Sequence, residues 1–165
     1  TNRLILVAGT VESTVAAAKK KYEVLSKLLN AIVPKEFPPP LMESAMEFLA
    51  NAVEKNPEKS VWWNWFCILK SAESRNTLIG CMGFKGKPNA YGAVEVGYSI
   101  LNEFQNRGYA TEGVNALIEW ALQNGATSVA AETYPENKAS IRIMEKCGMS
   151  LAGVGSKPNT VRFSK

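Results

Sequence analysis

The sequence contains no histidine, and that absence removes several common catalytic designs. Ser-His-Asp and Cys-His sites cannot be assembled, because in both the imidazole takes the proton from the nucleophile. The cysteines Cys67, Cys81 and Cys147 lie far apart with no CxxC pair, so a zinc site would have to be built from scattered thiols. We therefore expect no metal centre, and we interpret the three cysteines as buried, reduced thiols.

Long apolar runs are also missing. No stretch approaches the ~20 apolar residues that cross a bilayer, and the first residues lack the basic-then-apolar pattern of a signal peptide. We expect a cytoplasmic protein without a membrane partner. The length of 165 residues and the 46% hydrophobic content predict one globular domain, residues 1–165.

The net charge of +4 would suit either a nucleic acid or a polyanionic small molecule. The one basic run, lysines 19–21, falls in a predicted helix with an apolar inward face, so a solvated helix face explains it. No motif interleaves aromatic residues with Arg or Lys as RNA-binding modules do. We therefore expect no nucleic-acid partner.

The spacing of apolar residues predicts a mixed α/β (α+β) domain. Helices are predicted over residues 10–30 and 41–55, on either side of a proline-rich connector at 31–40. Short links between successive strands predict a mostly antiparallel sheet. The predicted strands cover residues 3–7, 61–70, 78–85, 93–101, 128–134, 150–154 and 160–164.

The loop QNRGYA, residues 105–110, runs directly from a strand region into a helical pattern. A helix start leaves four N–H groups without intrahelical partners and carries roughly half a positive charge, so an anion is stabilised there. Gly108 and the small Ala110 would let a bulky ligand approach the backbone closely. The loop therefore predicts a pyrophosphate site, with Thr111 either donating to phosphate or capping the helix and Arg107 either neutralising phosphate or facing water.

A second block, NKASIRIMEKCGM at residues 137–149, follows the next predicted strand and begins with Asn137, a residue that favours helix N-caps. Together the two blocks resemble the GCN5-related N-acetyltransferase (GNAT) family. Within it the chain looks most like the Rim-type branch, whose members acetylate protein N-termini. The resemblance extends from about residue 78 to residue 151.

This resemblance implies the GNAT fold, with about seven strands in a mostly antiparallel sheet and about four flanking helices. It implies acetyl-CoA as the acetyl donor and a primary amine as the acceptor, with a protein N-terminus as the first hypothesis. A small amine, amino acid or antibiotic is the alternative acceptor, and a non-catalytic acyl-CoA-binding module is the alternative function. We expect a monomer or a homodimer.

In the resembling proteins, strand 93–101 carries a bulge and splays from strand 128–134 to admit the pantetheine arm. Gly97 fits such a bulge, or it packs under an aromatic neighbour. The acceptor groove lies between the first helix link and the last strand loop, which is short here. The implied cofactor-binding residues are Tyr98, Ser99, Ile100, Leu101, Gln105, Asn106, Arg107, Gly108, Tyr109, Ala110, Thr111, Asn137 and Ser140.

Acetyl transfer needs a group that deprotonates the amine and a group that protonates the leaving thiolate. Glu95 is the first candidate base by strand alternation, with an ion-paired strand glutamate as the competing interpretation, and Glu132 is the second candidate. Many family members place the acid, a tyrosine, where this chain has Met144, which cannot donate a proton. Ser140 is then the hydroxyl expected to reach the sulfur, and Tyr134 is the fallback.

Three tryptophans, Trp62, Trp63 and Trp65, fall in predicted strand 61–70. Alternation would send Trp63 and Trp65 to one face of the sheet and Trp62 to the other. We interpret the cluster as core beneath the helices, with Trp62 as the member that faces a cleft.

Overall fold

The computed structural model describes residues 1–40 and 42–165. Across them the chain forms one seven-stranded sheet, five α-helices and two short 3-10 helices, which confirms the predicted mixed α/β architecture. The strands are β1 (Leu4–Ala8), β2 (Trp65–Leu69), β3 (Thr77–Phe84), β4 (Ala93–Ile100), β5 (Ser128–Thr133), β6 (Ser150–Val154) and β7 (Val161–Ser164). The helices are α1 (Val11–Ala18), α2 (Tyr22–Leu29), α3 (Pro40–Lys55), α4 (Tyr109–Gln123) and α5 (Lys138–Lys146).

The strands lie in the order β1-β2-β3-β4-β5-β7-β6, and β4 and β5 are the parallel neighbours in an otherwise antiparallel sheet. The 3-10 helices are Pro57–Trp62 and Asn102–Phe104. The first residue predicted for the second helix, Leu41, lies outside the described residues. No helix in the described part of the chain is both long and apolar enough to cross a membrane.

Two buried clusters hold the helices against opposite faces of the sheet. Val114 and Leu117 of α4 and Met144 of α5 pack on the face that includes Val96 of β4. On the other face, α1, α2 and α3 pack on β2 and β3. Burying each large apolar side chain stabilises the fold by roughly 1.5–3 kcal/mol. The second cluster contains no described residue of β4, β5 or β7. The part of this face that those three strands form therefore lacks a helical cover.

Strands β4 and β5 separate partway along their length. They pair only over residues 93–95 and 128–130, after which β5 continues along β7 and β4 along β3. The predicted splay is therefore confirmed. The predicted bulge at Gly97 is wrong, because the β3–β4 register continues without a shift from Val96 to Ile100. Gly97 is not a packing glycine either, since a Cβ built there would meet nothing within 4 Å.

One helix was predicted over residues 10–30, but the chain forms two. Lys20 takes a left-handed φ of 52°, its N–H donates to the Ala17 carbonyl (3.2 Å), and the Lys21 N–H donates to the Ala16 carbonyl (2.9 Å). These contacts form a Schellman motif, which ends α1. The lysines are exposed as predicted, and Lys20 pairs with Glu43 at 2.5 Å.

Predicted strand 61–70 begins only at Trp65, because the preceding residues form the 3-10 helix. Trp62 and Trp65 both pack on Trp120 of α4, with ring centroids 4.8 and 5.1 Å apart, whereas Trp63 packs on Phe48 of α3 at 5.7 Å. The tryptophans do pack against the core, but the predicted division between the two faces and the cleft-facing Trp62 are wrong.

All three cysteines are buried free thiols, as predicted. Burial raises the pKa of Cys67 to about 12 and that of Cys147 to about 11, and it also raises the pKa of Cys81.

Candidate active site

A cleft of about 440 Å³ lies where β4 has left β5, between the loop before α4 and the first turns of α5. Most of the predicted cofactor residues line it, and Leu101 and Arg107 do not. The lining consists of Tyr98, Ser99, Ile100, Phe104, Gln105, Asn106, Gly108, Tyr109, Ala110, Thr111, Asn137, Ala139, Ser140, Arg142, Ile143 and Lys146.

The loop at the mouth of the cleft turns through two left-handed residues, Asn106 (φ 61°) and Gly108 (φ 81°). Gly108 is the N-cap of α4 and offers no side chain to the helix start. The first N–H that finds a helical acceptor is that of Glu112, which donates to the Gly108 carbonyl at 3.0 Å. The N–H groups of residues 108–111 have no acceptor among the described residues, so they are available to an anion.

Thr111 lies inside the first turn of α4, so its alternative role as a helix cap is wrong. The Gln105 amide donates to the Ile100 carbonyl (2.8 Å) and to the Asn102 side chain (3.0 Å). Gln105 therefore ties the loop to the end of β4.

The cleft carries positive charge. None of its lining residues is Asp or Glu, and Arg142 and Lys146 project from successive turns of α5. Neither cation forms a salt bridge with any residue that the structure describes. Sequence reasoning missed this pair, although two basic residues four apart on the helix that follows Asn137 were a usable signal. Phe104, Ala139 and Ile143 were missed as well.

Two hydroxyl groups meet inside the cleft. The Asn137 side chain accepts the Ser140 N–H at 3.1 Å, which confirms its role as N-cap of α5. The Ser140 hydroxyl lies 2.8 Å from the Tyr98 hydroxyl, which also donates to the Ser140 carbonyl at 3.2 Å. Burial raises the pKa of Tyr98 to about 12, although the Ser140 hydrogen bond acts in the opposite direction. The phenol is therefore neutral at physiological pH, and only its backbone had been predicted to matter.

Three other predicted positions lie away from the cleft. Met144 is fully buried in the core under α4, so that position supplies no polar group. Tyr134 is 51% exposed and does not line the cleft. The N–H of Leu101 donates to the Ile79 carbonyl at 2.8 Å, so it already has an acceptor within the protein.

The two candidate bases lie on the opposite face of the sheet from α4, next to each other. Glu95 forms ion pairs with Lys85 and with Arg162, the latter at 3.5 Å. Glu132 accepts from Arg162 (2.7 Å) and from the backbone and hydroxyl of Ser156 in the β6–β7 loop (3.0 and 2.8 Å). Burial favours the neutral form of Glu132, but these hydrogen bonds outweigh it and lower the pKa of this carboxyl.

Comparison with known proteins agrees with this geometry. The protein-family model named acetyltransferase (GNAT) domain matches residues 12–150 of the chain. The chain belongs to the GNAT family of acetyltransferases. It is 27% identical over 152 residues to the uncharacterized N-acetyltransferase YjdG of Bacillus subtilis, an alignment that covers 92% of this chain and 88% of that protein.

Solved acetyltransferase structures share the fold. The ribosomal-protein-S5-alanine acetyltransferase from Vibrio fischeri superimposes with a TM-score of 0.66 at 18% identity, covering 99% of this chain and 92% of that one. The microcin C7 self-immunity acetyltransferase MccE, solved in complex with acetyl-CoA and AMP, gives a TM-score of 0.65 at 16% identity, covering 100% and 93%. The predicted family and its enzymatic class are thus confirmed, with Rim-type proteins among the structural neighbours.

Proposed function

We propose that this GNAT enzyme transfers the acetyl group of acetyl-CoA to a primary amine, and that a protein N-terminus is its acceptor. The observation that carries the proposal is the cleft itself. It combines four N–H groups without an acceptor, two cations without a salt-bridge partner and no carboxylate in its described lining. Coenzyme A carries a diphosphate and a further phosphate, so its charge is complementary to this lining.

The residues of the cleft suit the different parts of the coenzyme. The N–H groups of residues 108–111 would hold the diphosphate, and Arg142 and Lys146 would lie beside phosphate. Beyond residue 95, one edge of β4 has no strand partner in the described structure. Along this edge the Ile100 carbonyl accepts from the Gln105 amide, and the remaining backbone groups can pair with the amides of the pantetheine arm, as an added strand would.

Glu95 is the better candidate base of the two glutamates. Its side chain is 16% exposed, and the neighbouring Gly97 faces open space, so an amine can approach this part of β4. The side chain of Glu132 is only 4% exposed and holds the β6–β7 loop through Ser156. We therefore assign Glu95 to proton removal from the amine, directly or through a water, and give Glu132 a structural role.

Ser140 is the candidate proton donor to the leaving thiolate. Its hydroxyl lines the cleft and is held by Tyr98, while the position of the usual family tyrosine is occupied by the buried Met144. The Tyr98 hydroxyl lies 2.8 Å from the Ser140 hydroxyl, so we give the phenol the role of orienting Ser140.

A protein N-terminus is the first acceptor because the sheet face beside Glu95 lacks a helical cover, which leaves room for an extended chain. Similarity to the ribosomal-protein acetyltransferase supports the same choice. A small-molecule amine is the second candidate, because MccE, solved with AMP, shares the fold across 100% of this chain and 93% of its own. The cytoplasmic location and the monomeric or homodimeric state remain predictions.

Thiol release from acetyl-CoA tests the proposal. The enzyme is assayed with a panel of N-terminal peptides and a panel of small amines, and a thiol reagent reports free coenzyme A. The protein's own buried cysteines should contribute little background. Amine-dependent thiol release supports the proposal, and its preference between panels identifies the acceptor class. Coenzyme binding without release for any amine would favour the acyl-CoA-binding module instead.

A further inference from the structure

Arg3, just before β1, contacts the cofactor loop at several points although it is distant in sequence. Its Nη1 donates to the carbonyl of Arg107 at 3.0 Å, and its guanidinium lies over the ring of Tyr109, 4.6 Å from the centroid. A Cβ built on Gly108 would lie 3.4 Å from its Nη2. One guanidinium thus contacts Arg107 and Tyr109, the residues on either side of Gly108. Arg3 itself does not line the cleft in the described structure.

Glu112, in the first turn of α4, holds Arg3 in this position. One carboxylate oxygen accepts the Arg3 backbone N–H at 2.8 Å, and the other accepts Nε–H at 2.7 Å. Burial alone would raise the pKa of Glu112, but hydrogen bonds from Thr1 and from the backbone and guanidinium of Arg3 lower it to about 2. The carboxylate is therefore charged throughout the physiological range.

The contact with the Arg107 carbonyl has a geometric consequence for Gly108. The peptide between them is planar and trans, so its C=O and its N–H point in opposite directions. Because the Arg107 carbonyl points toward Arg3, the Gly108 N–H is directed away from Arg3. Gly108 can rotate its flanking peptides more freely than other residues can, so this orientation depends on an external contact.

We propose that Arg3 is a positioning residue that fixes the Arg107–Gly108 peptide with its N–H toward the cleft, ready for the diphosphate of the coenzyme. The inference rests on the proposed function. Without Arg3 the peptide can turn its carbonyl inward, where it would repel phosphate. Removing Arg3 should therefore weaken the binding of a thioester that carries phosphate, without slowing the chemical step.

The experiment compares acetyl-CoA with acetyl-pantetheine, a thioester that lacks the diphosphate. For Arg3→Ala we expect the KM for acetyl-CoA to rise about tenfold, the scale of one lost charged hydrogen bond. The kcat should stay within about twofold, and kcat/KM for acetyl-pantetheine should not change. Arg3→Lys keeps the positive charge but lacks the planar set of guanidinium N–H donors, and its KM for acetyl-CoA should rise about threefold.

Lys70→Ala is the matched control. The Lys70 ammonium donates to the carbonyls of Thr1 (2.7 Å) and Asn2 (3.3 Å), so it tethers the same terminal segment without touching the loop. Its KM for acetyl-CoA should equal that of the wild type.

An unchanged KM in Arg3→Ala would overturn the inference, and so would an equal loss with both thioesters, since a general structural defect affects both. If Arg3→Ala does not fold, the same comparison of acetyl-CoA with acetyl-pantetheine in Arg3→Lys tests the inference. Failure of the proposed function is a separate result, because the wild-type enzyme itself would then bind or turn over neither thioester.

Discussion

Replacing Gly108 by valine should remove coenzyme binding while leaving a folded enzyme. Gly108 is the N-cap of α4 with a φ of 81°, a conformation that a β-branched residue adopts only with strain. Gly125 provides a matched control. It follows the other end of α4, has a φ of 97°, and a Cβ built there would meet nothing within 4 Å. The two substitutions therefore impose comparable backbone strain, but only Gly108 lines the cleft.

The expected shifts in melting temperature follow from the backbone strain of each variant and from the free energy of acetyl-CoA binding. A side chain in such a conformation costs on the order of 1–3 kcal/mol, so each variant should melt about 2–12 °C below the wild type. Acetyl-CoA at a hundred times its Kd should stabilise the wild type by about 2.7 kcal/mol, or about 5–11 °C. Gly125→Val should keep this ligand-induced shift and Gly108→Val should lose it.

Thermal denaturation with and without acetyl-CoA measures both effects in one experiment, and circular dichroism establishes that both variants are folded. A Gly108→Val protein that is stabilised by acetyl-CoA as strongly as the wild type would refute the assignment of the diphosphate to this loop.

Further substitutions separate chemistry from structure. Ser140→Ala should lower kcat by on the order of 10²–10⁴-fold if its hydroxyl is the acid, and a loss below threefold in steady-state kinetics would pass that role to water. Tyr98→Phe should lower kcat about tenfold and, if it acts through Ser140, add little to Ser140→Ala in the double variant. Glu95→Gln should reduce kcat without changing the acetyl-CoA melting shift, whereas Glu132→Gln should destabilise the fold by about 1–3 kcal/mol with kcat retained; the reverse pattern would exchange their roles. Because the pKa of Glu112 is lowered to about 2 from its ordinary 4.5, its contribution to stability is present above pH 4.5 and lost as the pH falls toward 2. Urea unfolding between pH 5 and 2 should therefore be less steeply pH-dependent in Glu112→Gln, and an unchanged slope would contradict the assignment.

Much of the fold followed from local sequence signals. Alternating apolar residues predicted β4, β5 and β6 within one residue at each end, because each strand buries one face or is bounded by clear turn residues. Asn137 was recognisable as an N-cap because its side chain satisfies a helix-start N–H in the manner that this residue type favours. The cofactor loop was recognisable because Gly108 and Ala110 precede an amphipathic helix.

The errors arose where tertiary contacts or unusual residues replaced the common signal. The end of α1 uses Lys20 where glycine is usual, so the Schellman motif left no mark in the sequence. Trp62 and Trp63 look like strand residues, but the segment before β2 coils into a 3-10 helix and sends them to different sides. The contact between Arg3 and Glu112 joins residues 109 positions apart, which no local pattern can indicate.

A crystal structure with bound acetyl-CoA is the most direct measurement of where this enzyme holds its acetyl donor. We predict the diphosphate oxygens within about 3.2 Å of backbone nitrogens in residues 108–111, with the thioester in the gap between β4 and β5. A diphosphate bound elsewhere on the protein, with this cleft empty at saturating coenzyme, would contradict the proposed site and the roles of Glu95, Ser140 and Arg3.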